Sequence, residues 1–296
     1  MVVKTGEVDV VASTANQIGE GPVWLPDQQR LLWVDITGRR LLWFDPGNGR
    51  VETLDVGRDV GAVVPTESGQ LMAAVVDGFL QIDPETGSTR LVAAVEQDQP
   101  ANRMNDGKCD SRGRFWAGTM GYQIRPHAAA LYRLDSQCRV ETMLQPVTLS
   151  NGIDWSPDDR FMYYVDSTTQ RLDLFDYEPE TGSLGTRRTL LQIPGEDGLP
   201  DGLTVDADGC IWLALWGGGE VRRITPEGAV VGVVKLPVKQ VTSCAFGGPD
   251  LDQLYITSAA KDLDAAELAR QPEAGSLFRC RPGVKGRPAQ PFRGCA

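Results

Sequence analysis

Four polar residues occupy one recurring position. Glu20, Asn105, Asn151 and Asp201 each stand eight residues ahead of a turn residue, respectively Gln28, Gly113, Asp159 and Gly209. An apolar stretch follows each of the four. If a fold brought them to one point, two carboxylates beside two amides would repel and resist desolvation unless a cation stood among them. The chain has one histidine, His127, and no C-x-x-C pair, so the donors would be oxygens. Oxygen donors favour Ca²⁺, Mg²⁺ or Mn²⁺ by hardness, and carboxylates leave Zn²⁺ and Fe²⁺ open. Each residue taken singly has a plainer reading. Asn151-Gly152 and Asp201-Gly202 are common hairpin dipeptides, and Glu20 lies between Gly19 and Gly21 in what could be an exposed bend. The shared register argues otherwise, because turn residues belong at strand connections and these precede strands.

Convergence requires elements that repeat. An apolar stretch, a polar turn and a second apolar stretch carrying a bulky side chain recur along the chain, the second stretches bearing Trp33, Met72, Trp116, Tyr163, Trp212 and Tyr255. Their spacings of 39, 44, 47, 49 and 43 residues match the length of a four-stranded propeller blade, about 40 to 45 residues. Second hairpins follow most copies, with turns such as Asp45-Pro46-Gly47-Asn48-Gly49 and Asp83-Pro84-Glu85-Thr86-Gly87, where Pro presets φ and Gly takes positive φ. The expectation is an all-β, six-bladed β-propeller over residues 1–296, in preference to a pair of β-sandwiches. One helix is expected, over Asp262–Gln271, with Asp264 as its cap and Pro272 ending it. In a propeller the first strand of each blade lines the central channel. The six axial positions then read Glu20, Gly61, Asn105, Asn151, Asp201 and Thr242 or Ser243.

The balance of charge is −11, with 29 Lys and Arg against 40 Asp and Glu. That argues against nucleic-acid or anionic-membrane partners, which need clustered cations; only Arg279 to Arg293 is locally basic. No apolar run approaches a membrane span. Met1 to Ser13 carries Glu7 and Asp9 where a secretion leader would be apolar. Six widely spaced cysteines suggest free, packing thiols, and a cytoplasmic location is expected.

Six motifs in order, Gly19-Glu20-Gly21-Pro22-Val23-Trp24, Arg103-Met104-Asn105-Asp106-Gly107-Lys108, Ala117-Gly118-Thr119-Met120, Ser150-Asn151-Gly152-Ile153-Asp154-Trp155, Pro200-Asp201-Gly202 and Pro272-Glu273-Ala274-Gly275, resemble the senescence marker protein / gluconolactonase / luciferin-regenerating enzyme family. The resemblance spans essentially the whole chain. It implies a divalent metal held by Glu20, Asn151 and Asp201 and a sugar-lactone pocket in which Arg103 and Asn105 contact the substrate. Without it, Arg103 reads as a solvated surface arginine. Family members often carry a substrate-touching glutamate where this chain has Gln123, which bears on the identity of the sugar more than on the reaction.

The expected activity is metal-dependent hydrolysis of a gluconolactone-type aldonolactone to the aldonic acid, with one divalent ion, Ca²⁺ first. A few protein ligands with open positions suit a catalytic metal, and Asp201 is the candidate general base. The alternatives are a calcium-binding regulatory protein, another metal-dependent ester or phosphotriester hydrolase, and a propeller scaffold. No EF-hand pattern occurs, and a scaffold needs no acidic residues on its axis.

Overall fold

The bulky residue of each repeat, Trp33, Met72, Trp116, Tyr163, Trp212 or Tyr255, is at most 1% exposed in all six copies. The computed structural model describes residues 7–294; Met1 to Gly6 of the segment read for a leader, and Cys295, lie outside the described residues. Among the described residues, twenty-four strands form six four-stranded antiparallel sheets. The innermost strands are Gly19–Leu25, Val60–Pro65, Asn102–Cys109, Ser150–Trp155, Leu199–Val205 and Val241–Gly247. Each touches the innermost strand of the next sheet, and the sixth returns to the first. That ring is a six-bladed β-propeller. The bulky repeat residues lie on the second strands, where their side chains fill the space between neighbouring sheets, as Trp24, Trp33, Phe44 and Tyr255 do between the first and sixth.

Ring closure comes from an element the repeat count left unassigned. Asp9–Ala12 pairs with Leu277–Cys280 as the outermost strand of the sixth sheet, so the first described strand completes the last blade. The helix spans Ala265–Arg270, with Asp264 and Glu267 forming a reciprocal capping box.

The basic stretch near the C-terminus crosses one end of the channel. Arg281 pairs with Asp252, Lys285 with Asp250, Arg287 with Asp154 and Arg293 with Glu67, so its cations serve internal acids. Cys109, Cys210, Cys244 and Cys280 are free and buried. Cys138 is disulfide-bonded, which corrects the expectation of free thiols throughout. Cys138 sits in a left-handed turn, and Gly294 packs on the neighbouring Ser136, a proximity that spacing along the chain does not show. Among the described residues no helix is long and apolar enough to cross a membrane.

Candidate functional site

All six innermost strands slip register against their second strands at the same place. The shifts fall between Glu20 and Val23, Val60 and Ala62, Met104 and Gly107, Ser150 and Ile153, Pro200 and Leu203, and Val241 and Ser243. A bulge of this kind re-aims a side chain that would otherwise face a neighbouring strand. Glu20, Asn105, Asn151 and Asp201 sit at or within these slips. The glycines beside them are strand residues and not turn residues. A Cβ on Gly152 would lie 2.6 Å from the Asp201 carbonyl oxygen, and one on Gly202 would lie 2.2 Å from Ser243 Oγ. Close approach of adjacent inner strands therefore demands glycine at both places.

Glu20, Arg103, Asn105, Asn151 and Asp201 line one cavity of about 220 Å³ at one end of the channel, with Ser167 among them and Met120, Ile124 and Trp216 in its walls. Arg103 is 4% exposed, which removes the reading of a solvated arginine. Its Nη1 donates to Asn105 Oδ1 at 2.6 Å and to the Met104 carbonyl at 2.9 Å. Asn105 Nδ2 donates to Asn151 Oδ1 and to the Ser150 carbonyl, both at 2.8 Å. Asn151 Nδ2 donates to Ser167 Oγ at 2.8 Å, and Ser167 donates to the Pro200 carbonyl at 2.6 Å. This chain of donors fixes both amides: with its nitrogen tied to Ser167, Asn151 presents oxygen on its Asn105 side.

The Glu20 and Asp201 carboxyl groups line the same cavity. Both hold their protons well above the ordinary carboxylate range. Burial is the larger cause for each; Glu20 also feels the charges of Asp201 and Asp106, and Asp201 that of Asp106. Arg103 offers only partial compensation, because burial lowers its own proton affinity. Two buried, undercompensated acids and an oriented amide oxygen make a hard-oxygen donor set that fits a divalent cation. Among the described residues no group of three or more His, Cys, Asp or Glu is arranged to hold a metal; the set here has two acids, and the third donor is an amide.

Gln123 stands apart. It is exposed on the loop after Gly121 and is not in the cavity lining, whereas Ile124 is. His127 is exposed on the same loop. Two buried polar residues were missed from the sequence. Ser167 belongs to a short 3-10 turn after the second strand of its blade, outside the inner-strand register, so no repeat signal marks it. Asp106 is adjacent to Asn105, and burial pushes its carboxyl up to about 6 against the opposing charge of Lys108.

A family model described as SMP-30/Gluconolactonase/LRE-like region matches residues 18–260. The chain belongs to this family. The matched span includes every inner strand that contributes to the cavity. Among SMP-30/gluconolactonase/LRE-like relatives, regucalcin of Xenopus laevis is 39% identical over 295 residues, covering 97% of this chain and 99% of its own. The crystal structure of a calcium-binding protein, regucalcin, from Agrobacterium tumefaciens str. C58 superposes with a TM-score of 0.92 at 32% identity, covering 96% of each chain. That of a luciferin-regenerating enzyme superposes at 0.90 and 30% identity, covering 97% of this chain and 99% of its own.

Proposed function

We propose that this protein hydrolyses a lactone of a sugar acid, with one divalent cation held by Glu20, Asn151 and Asp201. The observation that carries the reading is the shared burial of Glu20 and Asp201, both with raised proton affinity, in a cavity that also holds Arg103. Bound there, a divalent ion would supply Lewis acidity toward a lactone carbonyl and toward water.

The chain's own groups account for the remaining steps. Arg103 uses one nitrogen on Asn105 and Met104, and its other N–H groups make no hydrogen bond among the described residues. They are free to donate to the carbonyl oxygen as charge develops on it, or to sugar hydroxyls. Asn105 orients Arg103 and Asn151 and keeps a lone pair of Oδ1 for a substrate hydroxyl. Asp201 takes a proton from the attacking water as the new C–O bond forms at the carbonyl carbon. It returns that proton to the ring oxygen as the ring C–O bond breaks, leaving a hydroxyl and a carboxylic acid, which ionises by releasing its proton to solvent. Gln123 is assigned to any substituent that projects beyond the cavity's rim.

The test is a pH-drop assay against a panel of aldonolactones, simple esters and phosphotriesters, on chelator-stripped protein and after return of each divalent ion. Lactone-selective, metal-restored turnover supports the proposal; turnover that is equal in stripped protein contradicts it. The similarity to a calcium-binding protein, the Agrobacterium tumefaciens regucalcin, favours a second reading in which the cation is bound without chemistry. Calcium uptake with no hydrolysis of any panel member would select that reading.

A further inference from the structure

Lys261 lines the cavity that holds Arg103 and Asp201. It follows the second strand of the sixth blade, Gln253–Ser258, whereas Arg103 lies on the inner strand of the third. In a six-membered ring, blades three and six are opposite, so the two cations stand on opposite sides of the axis. The Lys261 backbone is anchored: its N–H donates to the Gln17 carbonyl at 3.0 Å, and its carbonyl accepts from Gln240 Nε2 at 3.0 Å. Its half-buried side chain makes no ion pair or hydrogen bond among the described residues. Most cations of this acidic chain are paired with acids, including those of the C-terminal stretch.

The charged groups of the lining nearly balance. The lining carries Glu20, Asp201 and Asp262 against Arg103 and Lys261. A divalent ion between Glu20 and Asp201 would offset both acids and leave two cations facing one exposed aspartate. Arg125, next to the lining Ile124, adds another exposed cation without an ion-pair partner among the described residues. With that ion bound, the cavity of a chain with net charge −11 would carry a small positive excess, which favours an anion there. A lactone seated at Arg103 and Asp201 would extend across the axis and place its far end at Lys261.

We infer that the preferred substrates are lactones bearing a second, anionic group at the end remote from the ring carbonyl, a carboxylate or a phosphate, and that Lys261 binds this group. The inference rests on the lactonase reading for the ring end only.

The experiment compares a neutral aldonolactone with the same lactone carrying a terminal carboxylate and with one carrying a terminal phosphate. Wild type, Lys261→Ala, Lys261→Arg and Lys235→Ala would be assayed in metal-restored protein. Lys235 is exposed at the end of the outer strand Val230–Lys235 and controls for net charge. The expected result is a higher kcat/KM for a charged lactone in wild type, the better of the two arms naming the acid. Lys261→Ala should reduce that preference about tenfold or more, mainly through KM, since a hydrogen bond to a charged group is worth about that factor. Lys261→Arg should restore part of it, and Lys235→Ala should leave it in place. An equal preference in wild type and Lys261→Ala overturns the inference. Calorimetric binding of an open-chain polyol phosphate and of the unphosphorylated polyol covers the case in which no lactone is hydrolysed. Tighter, Lys261-dependent binding of the phosphate would then uphold the anion site while the lactonase reading fell. Equal binding of the two polyols would overturn the anion site as well.

Discussion

Asp154 and the pair Glu20 and Asp201 lie toward opposite ends of the channel, on inner strands of one ring, and their buried charge is treated in opposite ways. At the end crossed by the C-terminal stretch, a cavity of about 260 Å³ is lined by Lys108, Asp154 and Arg287. Asp154 accepts from Lys108 Nζ at 2.9 Å, Arg287 Nη2 at 3.3 Å, and the backbone N–H groups of Val205 and Trp155 at 3.0 and 2.8 Å. Burial alone would raise its pKa, but the two cations and these hydrogen bonds together take it below the ordinary aspartate range. Three residues earlier on the same strand is Asn151, at the other end, where Glu20 and Asp201 are equally buried and their pKa values rise. Burial is common to both ends, so it does not mark the proposed site. The mark is the missing counter-charge, which a structural ion pair supplies for itself and a binding site leaves to its ligand.

The largest expected effects test the undercompensated end by activity. Chelation should abolish hydrolysis and a returned divalent ion should restore it. Asp201→Asn should lose about 10²- to 10⁴-fold in rate, the usual contribution of a positioned general base. Glu20→Gln, in contrast, should recover with excess metal. If excess metal rescues both variants equally, Asp201 is a ligand only and the base lies elsewhere.

Stability should change with opposite sign at the two ends. Asp154→Asn removes the acid that Lys108 and Arg287 share and should cost about 3 kcal/mol, the scale for breaking a buried ion pair. Asp201→Asn in metal-free protein relieves an uncompensated charge and should stabilise by on the order of 1 kcal/mol. Denaturant titration of both variants checks the signs; destabilisation by Asp201→Asn without metal would break the comparison.

Arg103→Ala should lower kcat/KM for lactones about 10- to 100-fold through loss of charged hydrogen bonds, with metal content unchanged. Loss of the metal in this variant would make Arg103 structural.

The smallest effect is the pH profile of metal-free protein. Glu20, Asp201 and Asp106 have folded-state values above those of the unfolded chain, Asp106 at about 6. Their contribution to stability is present below the unfolded value, about 4, and is lost as pH rises through the folded values. Asp154 has the opposite sign, and its contribution is lost only as pH falls below that range. Thermal melts between pH 4 and 7 should therefore show a decline that a divalent ion suppresses and Asp201→Asn reduces.

Much of this molecule was legible in one dimension because a propeller repeats its environment. A buried residue on every second strand produces a period, and a bulge at the same depth of every inner strand produces a register, so Glu20, Asn105, Asn151 and Asp201 could be aligned by counting. Residues placed by contacts outside the repeat left no such trace. Ser167 acts from the 3-10 turn Ser167–Thr169 between the second and third strands of its blade, Lys261 from a connection after the last blade's second strand, and Asp9–Ala12 from the opposite end of the chain. The disulfide at Cys138 likewise leaves no mark in the spacing of the cysteines. Local pattern determined the blades and the axial residues, because strand period and turn chemistry act over a few neighbours. Which acids find a counter-charge was decided only by the closed ring, because Asp154 meets Arg287 across 133 residues of chain while Asp201 makes no ion pair among the described residues and feels Arg103 only in part.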